Sequence, residues 1–204
     1  MADEPESAAE SWNARYAEGS DRWTLDAAPP VLERLIVEVR ERQRVLVPGA
    51  GHGHDAFAWA RAGHEVVALD FAPLAVASMQ ARMRETGIGF EALEADVTAP
   101  PVELRGAIDL VWEQTCLCAL PPEQRRDYLE AMATILRPGG TMVALLWNHG
   151  NPDMNGGGPP YDMPPVLVER LVAGLFSIRK RERVERALAR RDPEYLWWLE
   201  PIRR

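Results

Sequence analysis

Val45-Leu46-Val47-Pro48-Gly49-Ala50-Gly51-His52-Gly53-His54-Asp55 is an apolar triplet cut off by proline and followed by a glycine at every second position. The triplet reads as a short buried strand. The glycines let the backbone turn sharply and pass close to a ligand with no Cβ in the way. The helix that follows would offer its N-terminal N–H groups to a carboxylate or similar polar group. A dinucleotide fingerprint, G-x-G-x-x-G, would need its third glycine at position 54, which is His54. That disfavours an NAD-linked oxidoreductase. A merely tight strand-to-helix turn stays open as the alternative reading of this stretch.

Outward from this block, helix and strand patterns alternate. Upstream, Pro30 opens a segment with Val31, Leu32, Leu35, Ile36 and Val39 at helix spacing. Downstream, residues 56–62 read as a short helix stopped by Gly63, and 65–70 as the second strand. Residues 73–85 predict a helix ending near Gly87, with Leu74, Ala77, Met79, Ala81 and Met83 inward. Residues 90–96 and 108–112 are the third and fourth strands. Pro121-Pro122 starts a helix with Tyr128, Leu129, Met132, Ile135 and Leu136 on one face, Arg137-Pro138-Gly139-Gly140 is a turn, and 141–147 is the fifth strand. Residues 148–160, with three prolines and four glycines, form a long irregular loop. A helix over 166–175 and two strands within 176–202 complete the chain, and no internal repeat is present. Such alternation implies right-handed βαβ crossovers and a mostly parallel sheet covered on both faces. In such sheets the ligand crevice lies at the carboxyl ends of the strands.

Those ends carry matching chemistry. Asp70 closes the second strand about 20 residues beyond the glycines, where a carboxylate accepts hydrogen bonds from ribose hydroxyls. Its alternative is a helix cap ahead of Pro73. Asp96-Val97 ends the third strand, where a carboxylate and a backbone N–H suit an adenine amino group and ring nitrogen; a surface turn acid is the other reading. Glu113 and Gln114 end the fourth strand and could hold an amino-acid moiety. Taken together, four such strand ends point to S-adenosyl-L-methionine.

Composition narrows the classes. At 204 residues the chain is one domain by the rough 150-residue prior, with room for a substantial core. Its 47% hydrophobic and 26% charged residues are ordinary for a globular protein. Twenty-three basic against 31 acidic residues, net −8, argue against nucleic acid and against polybasic membrane attachment. No apolar run approaches the roughly 18–20 residues of a membrane span. Residues 1–10 are acidic and small, read as a disordered leader and not as a secretory signal. Cys116 and Cys118 are too close for an ordinary disulfide, which favours a reducing cytoplasmic location.

The sequence resembles class I methyltransferases, and more narrowly the thiopurine S-methyltransferase superfamily, in particular its halide/thiol methyltransferase branch. The glycine block is generic to the class. Val67-Ala68-Leu69-Asp70, Trp112-Glu113-Gln114-Thr115-Cys116-Leu117-Cys118-Ala119-Leu120 and Arg137-Pro138-Gly139-Gly140 also match. More specific are the Trp12 and Trp23 pair with Asn13-Ala14-Arg15-Tyr16, the Cys118-Ala119-Leu120-Pro121 segment and Gly158-Pro159-Pro160-Tyr161. The resemblance implies a Rossmann-like α/β fold: a seven-stranded, mostly parallel sheet with an antiparallel last strand and helices on both faces. It makes residues 11–204 a single domain whose residues 11–29, bearing Trp12 and Trp23, form a lid over the cofactor. Gly49 and Gly51 would line the methionine part, Asp70 the ribose, and Asp96 with Val97 the adenine, with Gly53 and Phe71 also among the cofactor-binding residues. Gln114 stands where relatives often carry arginine against the cofactor carboxylate.

The implied reaction moves a methyl group from S-adenosyl-L-methionine to a small soft nucleophile (thiol, hydrosulfide or halide), leaving S-adenosyl-L-homocysteine. An acceptor that arrives charged needs no general base, so no residue is assigned as acid or base. Trp23 and Tyr161 are the candidate substrate-pocket residues, and with Trp12 their ring faces could stabilise the sulfonium. Thiopurine, selenium or tellurium methylation in the same pocket, N- or O-methylation of a small metabolite, and cofactor binding without turnover are the alternatives. Methylation at N or O would call for a base, for which the sequence offers Glu113 or a histidine. No metal is expected: His52, His54, His64 and His149 show no ligand spacing, and His54 and His64 are read as loop-orienting. The expected state is a monomer or weak homo-oligomer acting on a small molecule.

Overall fold

The computed structural model describes residues 8–20, 27–150, 158–184 and 193–203. In chain order the elements are α1 (Ala8–Ala17), α2 (Pro30–Glu38), β1 (Arg44–Pro48), α3 (His54–Arg61), β2 (Glu65–Asp70), α4 (Pro73–Thr86) and β3 (Glu91–Glu94). Then follow β4 (Ile108–Gln114), α5 (Arg125–Ile135), β5 (Leu136–Trp147), α6 (Pro165–Val172), β6 (Phe176–Val184) and β7 (Glu194–Pro201). The leader boundary drawn at residue 10 falls inside α1; residues 1–7 lie outside the described residues.

The strands form one sheet in the order β3-β2-β1-β4-β5-β7-β6. The first five run parallel, and β7 runs antiparallel between β5 and β6, as the resemblance implies. Strand order reverses between β1 and β4, and the crevice outside their carboxyl ends is where an open α/β sheet holds its ligand.

Alternation along the strands builds two cores. Val45, Val47, Val66, Ala68, Leu110, Trp112, Val143 and Leu145 face α2, α3 and α4. Leu46, Val67, Leu69, Val111, Met142, Ala144 and Leu146 face α5 and α6. Central strands covered on both sides therefore read as continuous apolar runs, each large side chain contributing about 1.5–3 kcal/mol by burial. Among the described residues no helix is long and apolar enough to cross a membrane.

Two expectations change. In α4 the buried face is Ala75, Val76 and Met79, while Leu74 is 41% exposed, Ala77 is exposed, and Ala81 and Met83 are half-buried. The phase is set by the helix start: Asn13 of α1 accepts a hydrogen bond from the Leu74 N–H at 3.0 Å, which places Leu74 beneath α1 at the surface. Residues 137–140 are not a turn after a helix but lie within β5, which follows α5 directly. There the register with β4 slips, and Gly140 admits the Ile108 and Asp109 carbonyls, each 3.0 Å from where a Cβ would stand. The basic run 179–181 lies on β6, an edge strand whose charges pair with Glu200, Glu182 and Glu169, a solvated face as its interleaved acids suggest.

Candidate functional site

The chain leaves β1 through Gly49, whose φ of +58° suits glycine, and whose absent side chain leaves room for Cys116. A Cβ there would meet the Cys116 Sγ at 2.9 Å, so the first loop and the turn after β4 touch backbone to side chain. Gly53, at φ +76°, starts α3 and packs where a Cβ would meet Met79 at 2.8 Å. Gly53 is thus a helix-packing glycine and lines neither of the two recesses described below.

Asp70, 4% exposed at the end of β2, ties the loop down. Its Oδ2 accepts from the Gly51 N–H at 2.8 Å and its Oδ1 from the Ala72 N–H at 2.9 Å. Burial pushes its carboxyl above the usual range, and these backbone bonds, with His52 nearby, oppose the rise. Each oxygen keeps capacity for a further donor. Asp96, exposed after β3, closes its own turn: Oδ1 accepts from Thr98 N and Oγ1, both at 2.8 Å. It is a turn acid that also stands on the cavity wall.

The cavity of about 350 Å³ sits over the carboxyl ends of the strands, within the ~300–1,000 Å³ of small-molecule sites. Trp12, Gly49, Asp70, Phe71, Asp96 and Val97 all line it. Gly51 and Gln114 line an adjoining recess of about 70 Å³, which shares Tyr16, Gly49 and Thr115 with the large cavity. Gln114, 9% exposed, holds its Oε1 buried with no hydrogen-bond partner, an acceptor open to an N–H or ammonium donor. Thr115 next to it takes φ +63°, rare for a branched residue, and this strain at the end of β4 turns the chain into the cavity wall.

Two nominated residues stand elsewhere. Glu113 is fully buried and does not reach either recess. Its Oε1 accepts from the Cys116 and Leu117 N–H groups at 3.0 and 2.9 Å, and its Oε2 from the Tyr128 hydroxyl. Residues alternate across a strand, so the neighbour of an outward Gln114 points into the packed layer. Tyr161 is also off the cavity: its ring packs on Gly158 and under the Arg125 guanidinium, 4.7 Å away, while its N–H bonds the Cys118 carbonyl at 2.7 Å. It supports the wall from behind, and Pro159 and Pro160 line the cavity instead. Trp23 lies outside the described residues.

Tyr16, Thr115, Cys116, Cys118, Trp147 and Glu194 line the cavity without having been nominated. Tyr16 had a sequence signal, being one turn beyond Trp12 on the same helix face. Glu194, 1% exposed, had none; it reaches the site only because β7 pairs antiparallel with β5, opposite Trp147. Aromatic lining therefore comes from Trp12, Tyr16, Phe71 and Trp147, with Arg15 stacked on the Trp12 ring at 4.9 Å.

The histidines fill structural places. His52 bonds Ser78 at 2.8 Å, His54 meets Arg82 at 3.1 Å, and His64 accepts from the Gln43 N–H at 3.1 Å. Among the described residues no three His, Cys, Asp or Glu side chains are grouped to hold a metal ion.

Known proteins resemble this chain in sequence and in fold. The family model described as thiopurine S-methyltransferase (TPMT) matches residues 7–195. A probable thiol methyltransferase 2 of Arabidopsis thaliana is 29% identical over 174 residues, 83% of this chain and 74% of the relative. A thiopurine S-methyltransferase of Photobacterium profundum is 28% identical over 178 residues, 81% of this chain and 83% of that one. In fold, the chain is similar to a Burkholderia thailandensis 1,6-didemethyltoxoflavin-N1-methyltransferase with bound S-adenosylhomocysteine, at TM-score 0.75 and 19% identity over 98% of this chain and 93% of the other. A match that spans nearly every element described above makes the conclusion plain: the chain belongs to the thiopurine S-methyltransferase family and is an S-adenosyl-L-methionine-dependent methyltransferase.

Proposed function

We propose that this enzyme methylates a small, soft nucleophile, a thiol or hydrosulfide foremost and halide also, in the aromatic chamber beside the strand ends. The observation that carries the reading is the cavity itself: about 350 Å³, walled by Trp12, Tyr16, Phe71 and Trp147, and joined at Gly49 and Thr115 to the polar recess under Gln114. The names of the thiol, thiocyanate and thiopurine methyltransferases among its relatives support the same acceptor class.

The residues present fit the cofactor. Asp70 would take the ribose hydroxyls with the lone pairs left over from Gly51 and Ala72, and Asp96 with Val97 would meet the adenine. The unpartnered Gln114 Oε1 suits the α-ammonium of the amino-acid end. When bound, S-adenosyl-L-methionine supplies an electrophilic methyl on a sulfonium that carries its own leaving group. The protein then aligns the acceptor in line and keeps water out. Aromatic faces favour the cationic donor, and a charged soft anion needs no proton removed.

Buried, reduced Cys116 and Cys118 support action in a reducing compartment such as the cytoplasm. Incubation with labelled S-adenosyl-L-methionine and a panel of alkyl thiols, sulfide, iodide and thiopurines tests the reading. Transfer to a sulfur acceptor or iodide is the expected result; transfer only to nitrogen or oxygen acceptors, or to none of the panel, would overturn it.

A further inference from the structure

Behind the cavity wall, side chains from two elements and the turn between them form a line that the reaction as written above does not use. Cys116 lines the cavity, and its sulfur faces the Tyr128 hydroxyl of α5. Tyr128 Oη in turn donates to Glu113 Oε2 on β4. All three side chains are buried. A strut for the Cys116 and Leu117 N–H groups would need only a neutral acceptor. A carboxylate costs far more to bury, and no Lys or Arg among the described residues is paired with Glu113. The charge thus calls for a reason beyond packing.

We propose that Cys116, Tyr128 and Glu113 form a proton relay that strips the proton from acceptors entering the cavity as neutral thiols. The inference rests on the reading that the acceptor is a small sulfur nucleophile. In the step, the acceptor S–H gives its proton to Cys116 Sγ as Cys116 passes its own to Tyr128 Oη and Tyr128 passes its own to Glu113 Oε2. The electron pair left on the acceptor sulfur forms the new bond to the methyl carbon. The old carbon–sulfonium bond breaks with its pair onto the donor sulfur, leaving two neutral thioethers and one proton on Glu113. Reversal of the relay returns that proton to water once product leaves. An iodide or thiocyanate ion brings no proton and needs no relay.

The surroundings suit these parts. Cys116 is faced by Glu113 on β4, Asp70 on β2, Cys118 in its own turn and Tyr128 on α5. Burial first, and then the neighbouring carboxylates, hold its thiol well above the ordinary range, so it stays an S–H conduit and does not compete as a nucleophile. Burial also pushes the Glu113 carboxyl up to about 7, against hydrogen bonds from Tyr128, Leu117 and Cys116. A base poised there is ionised at slightly alkaline pH and still able to hold a proton.

The test compares kcat/KM for a neutral alkyl thiol with that for thiocyanate, across about pH 6–9, in the wild-type chain and in Glu113→Gln, Tyr128→Phe, Cys116→Ala and Cys116→Ser. The readout is the thiol-to-thiocyanate ratio within each protein. The relay predicts a fall of about 100-fold in that ratio for Glu113→Gln, Tyr128→Phe and Cys116→Ala, with recovery in Cys116→Ser, whose hydroxyl also conducts a proton. The rise of the wild-type thiol rate through about pH 7 disappears in Glu113→Gln. In cofactor-free protein, infrared difference spectra show a protonated-carboxyl band growing as pH falls through about 7, absent in Glu113→Gln. Proportionate loss on both acceptors, or a ratio that follows Glu194→Gln and not Glu113→Gln, would mean a structural strut and overturn the relay. A wild-type protein that methylates neither probe overturns the acceptor reading and the relay with it.

Discussion

At the scale of single residues, the site depends on buried carboxylates used in different ways. Asp70 points toward the cavity with both oxygens partly engaged, whereas Glu113, two strands over, points inward and is engaged on both. Replacing Asp70 by Asn leaves an amide N–H₂ facing a backbone N–H and removes an acceptor from the ribose position. Titration calorimetry with S-adenosyl-L-homocysteine is expected to show at least about tenfold weaker binding, in line with roughly 1.5–3 kcal/mol for a hydrogen bond to a charged group. Unchanged affinity would remove Asp70 from the cofactor site. Glu113 predicts a pH effect on stability. Its folded value of about 7 lies above the ordinary 4.5. Below about 4.5 the carboxyl is protonated in both states; between 4.5 and 7 the unfolded chain ionises first, so stability falls as pH rises, and levels off above 7. Asp70, also raised, acts in the same direction. Thermal melts should therefore lose on the order of 2–3 kcal/mol more between about pH 4.5 and 8 in the wild type than in Glu113→Gln. Equal slopes would show that Glu113 titrates at its ordinary value.

At the scale of elements, α1 packs on α4 and supplies Trp12 and Tyr16 to the cavity. Asn13 fastens it from below, its Oδ1 satisfying a helix-start N–H of α4 that no side chain of α4 caps. Tyr16 fastens it from above, with its ring edge-on to His52 at 5.2 Å. Asn13→Ala is expected to cost about 1 kcal/mol, the usual value of a lost cap. Because the loosened helix carries cavity-lining rings, KM for S-adenosyl-L-methionine should rise several-fold with kcat little changed. A stability loss without any KM change would mean that α1 only covers the sheet. The glycine loop shows the opposite regime: Gly49 is wedged against Cys116, so the first loop and the β4 turn are a single packed unit.

For the molecule as a whole, the sheet separates a core under α2, α3 and α4 from one under α5 and α6, and the site forms where the two layers part. Exposed large apolar side chains among the described residues are spread over α2, α4, α6, β6, the segment after β3 and Ile202 after β7. With a net charge of −8, this predicts sedimentation as a 22.8 kDa monomer at micromolar concentration. A stable dimer mass would point to an interface on surfaces beyond these.

Much of this was legible in the chain. Period-two and period-3.6 patterns place β1, β2, β4, α2 and α5 because burial on both sides of a parallel sheet forces them. The β1 glycines and the acids closing β2 and β3 mark the cavity because the turn chemistry and the crossover rule are local. Facing direction is what the sequence left open. Whether Glu113 or Gln114 meets solvent, which face of α4 is inward, and whether Tyr161 lines the cavity or backs it depend on partners up to scores of residues away. Glu194 and Trp147 join the site only through an antiparallel pairing that no local pattern encodes. Residue types and periodicity thus fixed the strand ends as the place of chemistry, and packing across the sheet decided which side chains look into it.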